Sequence, residues 1–198
     1  LLDLIQDAVD QGFGGMELMA GIPGSVGGAL RMNAGAFGQE IRQTTVKVKG
    51  FQMDGSPFEA GRNEINFSYR RVPQLEQVVI TSGEFRFKKT EADTLKQRMY
   101  DILALRAKKQ PLNYPSCGSV FKRPPGYYAG ALIEEAGLKG ERVADAMVSP
   151  KHAGFILNTG NANAADVFSL IRRIEDRVWK RFGVKLEREV KLIGEFDD

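Results

Sequence analysis

Residues 21–35 hold five glycines, with Pro23, Ser25 and Asn33 set among them, and this run limits the possible folds more than any other stretch of the chain. Glycine loses the most backbone freedom on folding, so such density is a costly way to build an ordinary loop. It makes physical sense where backbone passes close to a flat or phosphorylated ligand with amide groups facing it. Pro23 fixes one φ angle, and Ser25 stands where it can cap a helical turn over Val26–Leu30. The spacing is not the Gly-x-Gly-x-x-Gly of dinucleotide folds, and no Walker lysine follows. On local grounds a cofactor cradle and a tight structural turn both fit.

The 198 residues suffice for one large domain or two small ones, and at 42% hydrophobic they can bury a real core. A net charge of +3 is too mild for a nucleic-acid face, which needs clustered Lys and Arg, but it suits a small anionic ligand. The single cysteine, Cys117, excludes an internal disulfide and points to a reducing compartment. One cysteine and one distant histidine, His152, cannot make a zinc site, so no metal is expected. No apolar run reaches the ~20 residues of a membrane span, and no signal peptide is visible. The first residue is a leucine already inside an amphipathic pattern, which raises the expectation of a preceding segment.

Periodicity places a helix over residues 1–11, with Leu1, Leu4, Ile5, Ala8 and Val9 on one face. Residues 44–87 read as strands, Glu64–Ser68 included, with Asp54-Gly55 as a hairpin signal. Thr90 is expected to cap a helix running to about Lys108 with Leu95, Met99, Ile102 and Leu103 inward; Pro111 and Pro115 then mark a domain boundary. Beyond it come a short helix Ala129–Ala136 closed by Gly137 and an apolar strand through Ala153–Leu157. A long helix is opened by Asn163 with Asp166 and ended by Gly183. A last strand is expected to turn Val184, Leu186, Val190 and Leu192 inward.

Four places carry chemistry-bearing residues. Tyr69-Arg70-Arg71 can hold a carboxylate or oxyanion, or be a solvated strand end. Ser119 follows Gly118 without a Gly-x-Ser-x-Gly elbow, which argues against a hydrolase nucleophile; a proton donor and a turn serine remain. Glu189 and Lys191 share a face of the final segment, either in a site or on a solvated edge. His152 precedes Ala153-Gly154, and a lone histidine is more often structural than catalytic. No spacing rule joins the four.

Taken in order, Gly21–Gly38, Phe67–Arg70, Pro115–Pro124 with Gly126–Gly140 behind it, and Leu186–Gly194 resemble the UDP-N-acetylenolpyruvoylglucosamine reductase family, and Lys151–Asn158 adds support. The blocks span nearly the whole chain. They resemble the family's shorter subclass, which lacks a tyrosine-bearing insertion over the substrate. The resemblance implies an α+β fold: part of a two-lobed FAD-binding domain, followed by a C-terminal α/β mixed substrate-binding domain. Residues 1–107 would be the second FAD lobe and 108–198 the substrate domain, with the last strand returning toward a first lobe. That lobe's Gly-x-Gly-Ser-Asn phosphate loop is absent here, so the chain is expected to be N-terminally truncated.

The implied activity is NADPH-dependent reduction of UDP-N-acetylglucosamine enolpyruvate to UDP-N-acetylmuramate through FAD, in peptidoglycan precursor synthesis. By motif position, Gly21, Ile22, Pro23, Gly24, Ser25, Gly28 and Asn33 would face the flavin. Tyr69, Lys109 and His152 would meet substrate, Lys109 at its diphosphate. Arg70 and Glu189 would stabilise an enolate-like state, Glu189 only as an acid or hydrogen-bond donor, since a bare carboxylate would repel the charge. Ser119 would give the proton that completes the lactyl ether. A cytoplasmic monomer without nucleic-acid or membrane partners is expected. The alternatives are another flavin oxidoreductase of the same superfamily, which should lack the Gly118–Lys122 block, and a fragment that binds UDP-sugar but not flavin.

Overall fold

Amphipathic spacing and local capping account for most of the elements. The computed structural model describes residues 1–196, which fall into two compact units, Leu1–Arg106 and Ala107 onward. In the first unit, helix α1 (Leu2–Asp10) buries Ile5, Ala8 and Val9, the three-four spacing of one face. Helix α2 (Val26–Met32) begins where the Ser25 hydroxyl accepts the Gly28 N–H at 3.0 Å.

Three antiparallel strands follow: β1 (Thr45–Gln52), β2 (Pro57–Gly61) and β3 (Val78–Phe85), in the order β2-β1-β3. The Asp54-Gly55 turn joins β1 to β2, with the Ser56 N–H donating to the Asp54 carboxylate at 2.9 Å. Two register shifts interrupt the β1–β3 ladder. Helix α3 (Ala92–Lys109) lays Leu95 and Met99, with half-buried Leu103, against the core formed by Ile5, Met19, Leu30, Ile41, Val48 and Leu75.

Two expectations fail here. Glu64–Ser68 is not a strand: Arg62–Glu64 is one turn of 3₁₀ helix, closed by the Gly61 N–H donating to the Glu64 carboxylate at 2.6 Å. Thr90 does not cap α3. Its N–H donates to Gly12 at 2.9 Å and its hydroxyl to Lys88 at 3.4 Å, so it serves the Phe13–Gly14/Lys88–Lys89 pairing. The first α3 bond runs from the Leu95 N–H to the Glu91 carbonyl instead, at 3.2 Å.

The second unit carries β4 (Ser116–Ser119), α4 (Ala129–Glu135), β5 (Arg142–Val143), β6 (Ala146–Val148), β7 (Phe155–Asn158) and α5 (Ala164–Phe182). Its strands pair antiparallel in the order β4-β7-β6-β5, and α5 packs on β5 and β6. The reciprocal Asn163–Asp166 capping box opens α5 and Gly183 closes it. Ile133, Leu138, Val148, Leu170, Ile174 and Val178 form its core.

The expected final strand over Val184–Leu192 is absent; Arg188 makes one isolated bridge to Phe121. Alternation alone needs a continuous partner edge, and here only residues 120–122 supply one. Leu186 is buried, whereas Leu192, expected inward, is 39% exposed.

Candidate functional site

The glycine run bends around α2 to present a side-chain-poor surface. Gly21, Pro23, Gly24, Ser25 and Gly28 are exposed and Ile22 is half-buried. Space is open around Gly24 and Gly38, where an added Cβ would meet nothing within 4 Å. Asn33 differs from the rest of the set. It caps α2 in the left-handed region at φ 44° and is fully buried, so it shapes the loop from beneath. Its Nδ2 donates to the Ser68 carbonyl at 3.0 Å, while Oδ1 is buried without a partner among the described residues.

That Ser68 bond ties the glycine run to a tight turn. Ser68 and Arg71 exchange backbone hydrogen bonds of 2.9 and 3.3 Å, leaving Tyr69 and Arg70 at the tip. Arg70 is held at φ 55°, a conformation costing a non-glycine residue about 1–2 kcal/mol. Its Nη2 donates to the Gly35 carbonyl at 3.1 Å, and its guanidinium lies 5.1 Å from the Tyr69 ring centroid. Asn33, Phe37 and Arg70 are three of the four non-glycine residues with positive φ among the described residues. Such strain concentrated in one place is characteristic of binding and catalytic sites.

In the second unit, Ser119 ends β4 next to Gly118, whose φ of 78° turns the strand at the point where an L side chain would be strained. Ser119 is exposed, and its neighbours Val120 and Phe121 anchor the core. The Glu189 N–H donates to the Val120 carbonyl at 2.8 Å, and the Lys122 N–H to the Glu187 carbonyl at 2.8 Å. Half-buried Glu189 therefore runs alongside the residue after Ser119, and the two come together through backbone pairing.

Sequence reasoning missed what fixes this segment. Arg188 Nε and Nη2 grip the two Glu175 carboxylate oxygens, both at 2.6 Å, clamping residues 186–190 onto α5. A bidentate guanidinium–carboxylate fork is the strongest of the ordinary charge pairs. Glu187, one residue earlier, is paired with Lys122.

His152 sits in a nook formed by two glycines: Cβ atoms added at Gly130 and Gly154 would come within 3.3 and 3.0 Å of its Cε1. The Gly154 N–H donates to Nδ1 at 3.1 Å, and the ring meets Phe155 edge-on at 5.0 Å. Burial pushes its pKa down, so the ring is neutral with its proton on Nε2. His152 leads into β7, which pairs Phe155 with Ser119. Lys109 is exposed on the last turn of α3. Just beyond it lies a cleft of about 490 Å³ lined by Pro111, Tyr114, Met147, Ser149 and Lys151, which sequence reasoning did not anticipate. Among the described residues no His, Cys, Asp and Glu cluster could hold a metal ion, and no helix is long and apolar enough to cross a membrane.

Arg106, the second unanticipated residue, is on α3 and only 8% exposed. Its Nε and Nη2 are buried without hydrogen-bond partners among the described residues, and desolvation pulls its pKa down. A signal existed: Leu95, Met99, Ile102 and Arg106 follow the spacing of one helical face, so an arginine continues the apolar stripe.

Comparison with known proteins adds three findings. A family model for the UDP-N-acetylenolpyruvoylglucosamine reductase C-terminal domain matches residues 110–193. The chain is 49% identical over 191 residues to the UDP-N-acetylenolpyruvoylglucosamine reductase of Agathobacter rectalis, covering 96% of this chain and 60% of that protein. It is 46% identical over 196 residues to that of Pediococcus pentosaceus, covering 98% and 65%. The chain thus spans less than two thirds of the length of these relatives. The crystal structure of the reductase from Thermus caldophilus superposes with a TM-score of 0.82 at 37% identity, covering 95% of this chain and 67% of that one.

Proposed function

The chain belongs to the UDP-N-acetylenolpyruvoylglucosamine reductase family, and on that premise we propose that it carries the substrate-reducing half of such an enzyme. The reaction is the NADPH-dependent conversion of UDP-N-acetylglucosamine enolpyruvate to UDP-N-acetylmuramate for peptidoglycan synthesis. FAD, when bound, supplies the hydride carrier between NADPH and the vinyl carbon of the substrate.

The observation that carries the reading is the strained Tyr69-Arg70 turn, bonded to the glycine run at both Asn33 and Gly35. A cationic residue forced into a left-handed turn needs a compensating gain, and electrostatic stabilisation of charge built up next to the loop provides one. The glycine run fits a flat cofactor: Gly21, Gly24 and Gly28 are exposed and carry no side chain, and Asn33 Oδ1 in the same run is buried without a hydrogen-bond partner among the described residues.

The other roles follow from what each group can do. Arg70 offers a guanidinium to the carboxylate of the enolpyruvyl group as negative charge grows. Ser119, exposed beside Gly118, offers a hydroxyl proton to the carbon next to that carboxylate. An alcohol is a weak acid, but proximity to a strong carbon base makes up much of the difference. Glu189, whose N–H bonds the Val120 carbonyl next to Ser119, is the third group assigned to that charge, acting through a hydrogen bond. Tyr69, Lys109 and the Nε2–H of His152 bind substrate, and Ile22 and Pro23 help line the flavin side of the loop.

The test uses the full-length protein with FAD. NADPH oxidation that depends on the enolpyruvyl sugar nucleotide, with UDP-N-acetylmuramate found by mass spectrometry, is the expected result. A flavin-loaded protein that forms no such product overturns the reading.

A further inference from the structure

Arg70 is aimed by a hairpin too short to hold itself. Its Nη2 donates to the Gly35 carbonyl at 3.1 Å. Gly35 belongs to two residue pairs, Gly35 with Glu40 and Ala36 with Gln39, closed by Phe37 and Gly38 at φ 51° and 85°. An isolated two-stranded hairpin is marginal in water, so contacts outside it must fix its place. Its strands also lie without slack. A Cβ added at Gly35 would come within 2.5 Å of the Gln39 carbonyl oxygen and 2.6 Å of Glu40 Cγ, so a shift of Gln39 moves Gly35 with it.

One side chain supplies an anchor from 21 residues away: Gln39 Oε1 accepts the Leu18 N–H at 2.8 Å. Leu18 lies in a single 3₁₀ turn, Glu17–Met19, and the first N–H groups of such a turn have no partner within it, so Gln39 fills one of them. The turn is itself firmly held. Glu17 is 4% exposed, its carboxylate accepts the Gly15 N–H at 2.7 Å, and Arg98 Nη1 lies 3.6 Å from it. Burial pushes the Glu17 carboxyl up, but the Gly15 N–H, its own N–H, the Gln39 amide and the Arg98 charge outweigh that and hold it below the usual carboxylate range. The Gln39 amide therefore meets the turn twice, at the Leu18 N–H and at the Glu17 carboxylate.

We propose that Gln39 is a positioning residue for Arg70: its side chain pins the 35–40 hairpin to the Glu17 turn and so sets where the Gly35 carbonyl directs the guanidinium. The inference rests on reading Arg70 as the group that meets the enolpyruvyl carboxylate. A misaimed guanidinium keeps its charge but loses the two-pronged alignment that a planar carboxylate takes. The loss falls on the step in which negative charge grows on the substrate, and flavin reduction by NADPH is spared.

The test is a double-mutant cycle in the full-length, FAD-loaded protein: wild type, Gln39→Met, Arg70→Lys and the double variant, read by single-turnover kinetics and by thermal unfolding. Gln39→Met keeps the length of the side chain and removes its hydrogen bonds. It should leave NADPH oxidation at the wild-type rate and slow formation of UDP-N-acetylmuramate about fivefold to tenfold, the rate equivalent of one hydrogen bond. In the Arg70→Lys background, where the guanidinium is gone, it should slow product formation no further. The drops in unfolding temperature of the two single variants should sum to more than that of the double variant. Glu17→Gln, which leaves Gln39 a weaker acceptor, should give a smaller loss with the same dependence on Arg70, and it carries the test if Gln39→Met fails to fold. Equal slowing in both backgrounds overturns the proposal, since a merely structural glutamine would give that result. So do product formation at the wild-type rate, equal slowing of NADPH oxidation, or additive unfolding shifts. An Arg70→Lys protein with wild-type turnover refutes instead the bidentate reading of Arg70 beneath it, and the unfolding cycle then still decides whether Gln39 and Arg70 are linked.

Discussion

The Arg188–Glu175 fork gives a prediction whose size can be worked from the structure. Both N···O distances are 2.6 Å, and the side chains are 32% and 24% exposed. A fully exposed pair contributes about 0.2–1 kcal/mol, and breaking a fully buried one costs about 3–5 kcal/mol. This pair, partly shielded and bidentate, falls between, at a coupling of about 2 kcal/mol after solvent screening. Urea unfolding of Glu175→Gln, Arg188→Gln and the double variant measures that coupling directly as a double-mutant cycle. The double variant should be less destabilised than the two singles summed, by about that amount. Because Arg188 adjoins Glu189, Arg188→Gln should also lower kcat for the enolpyruvyl substrate while leaving the KM for NADPH unchanged. A coupling below about 0.5 kcal/mol would place the fork among ordinary surface pairs and refute the claim that it fixes the segment.

Two further outcomes are expected. Arg70→Lys keeps the charge but loses the planar fork, so kcat should fall by about tenfold or more; unchanged turnover would show that bidentate recognition is not used. His152 has a folded pKa below its usual 6.5, so below pH 6.5 the unfolded chain takes up a proton that the folded protein refuses. Stability should therefore be full above pH 6.5 and fall as the pH drops through and below that value. His152→Gln should remove this component of the pH dependence, and an identical pH–stability curve would mean that the ring protonates freely when folded.

What could be read from the chain itself was local. The Asn163–Asp166 box, Gly183, the Ser25 cap and the Asp54-Gly55 turn each depend on residues within a few positions of one another, and each formed where expected. Failures came where the outcome depends on a distant partner. Val184–Leu192 alternates well but finds only the short edge at Val120–Lys122, so it makes one bridge and no ladder. Thr90 had the right type for a cap, yet pairing with Gly12 claimed it.

The same holds for the site. Ser119, Arg70 and Glu189 were visible as residues, but the left-handed turn at Arg70 and the Glu175 clamp behind Glu189 arise from tertiary bonds. Arg106 was hidden for the opposite reason: among Lys108, Lys109 and other charges it reads as solvated, and only its place on the buried stripe of α3 gives it away.

The central claim is that Ser119 completes the reduction by giving up a proton, and single-turnover kinetics on Ser119→Ala in the full-length, FAD-loaded protein test it most directly. NADPH consumption before sugar nucleotide is added should proceed at the wild-type rate, while formation of UDP-N-acetylmuramate should slow by about a hundredfold or more. Equal slowing of both steps, or product formed at the wild-type rate, would contradict the account.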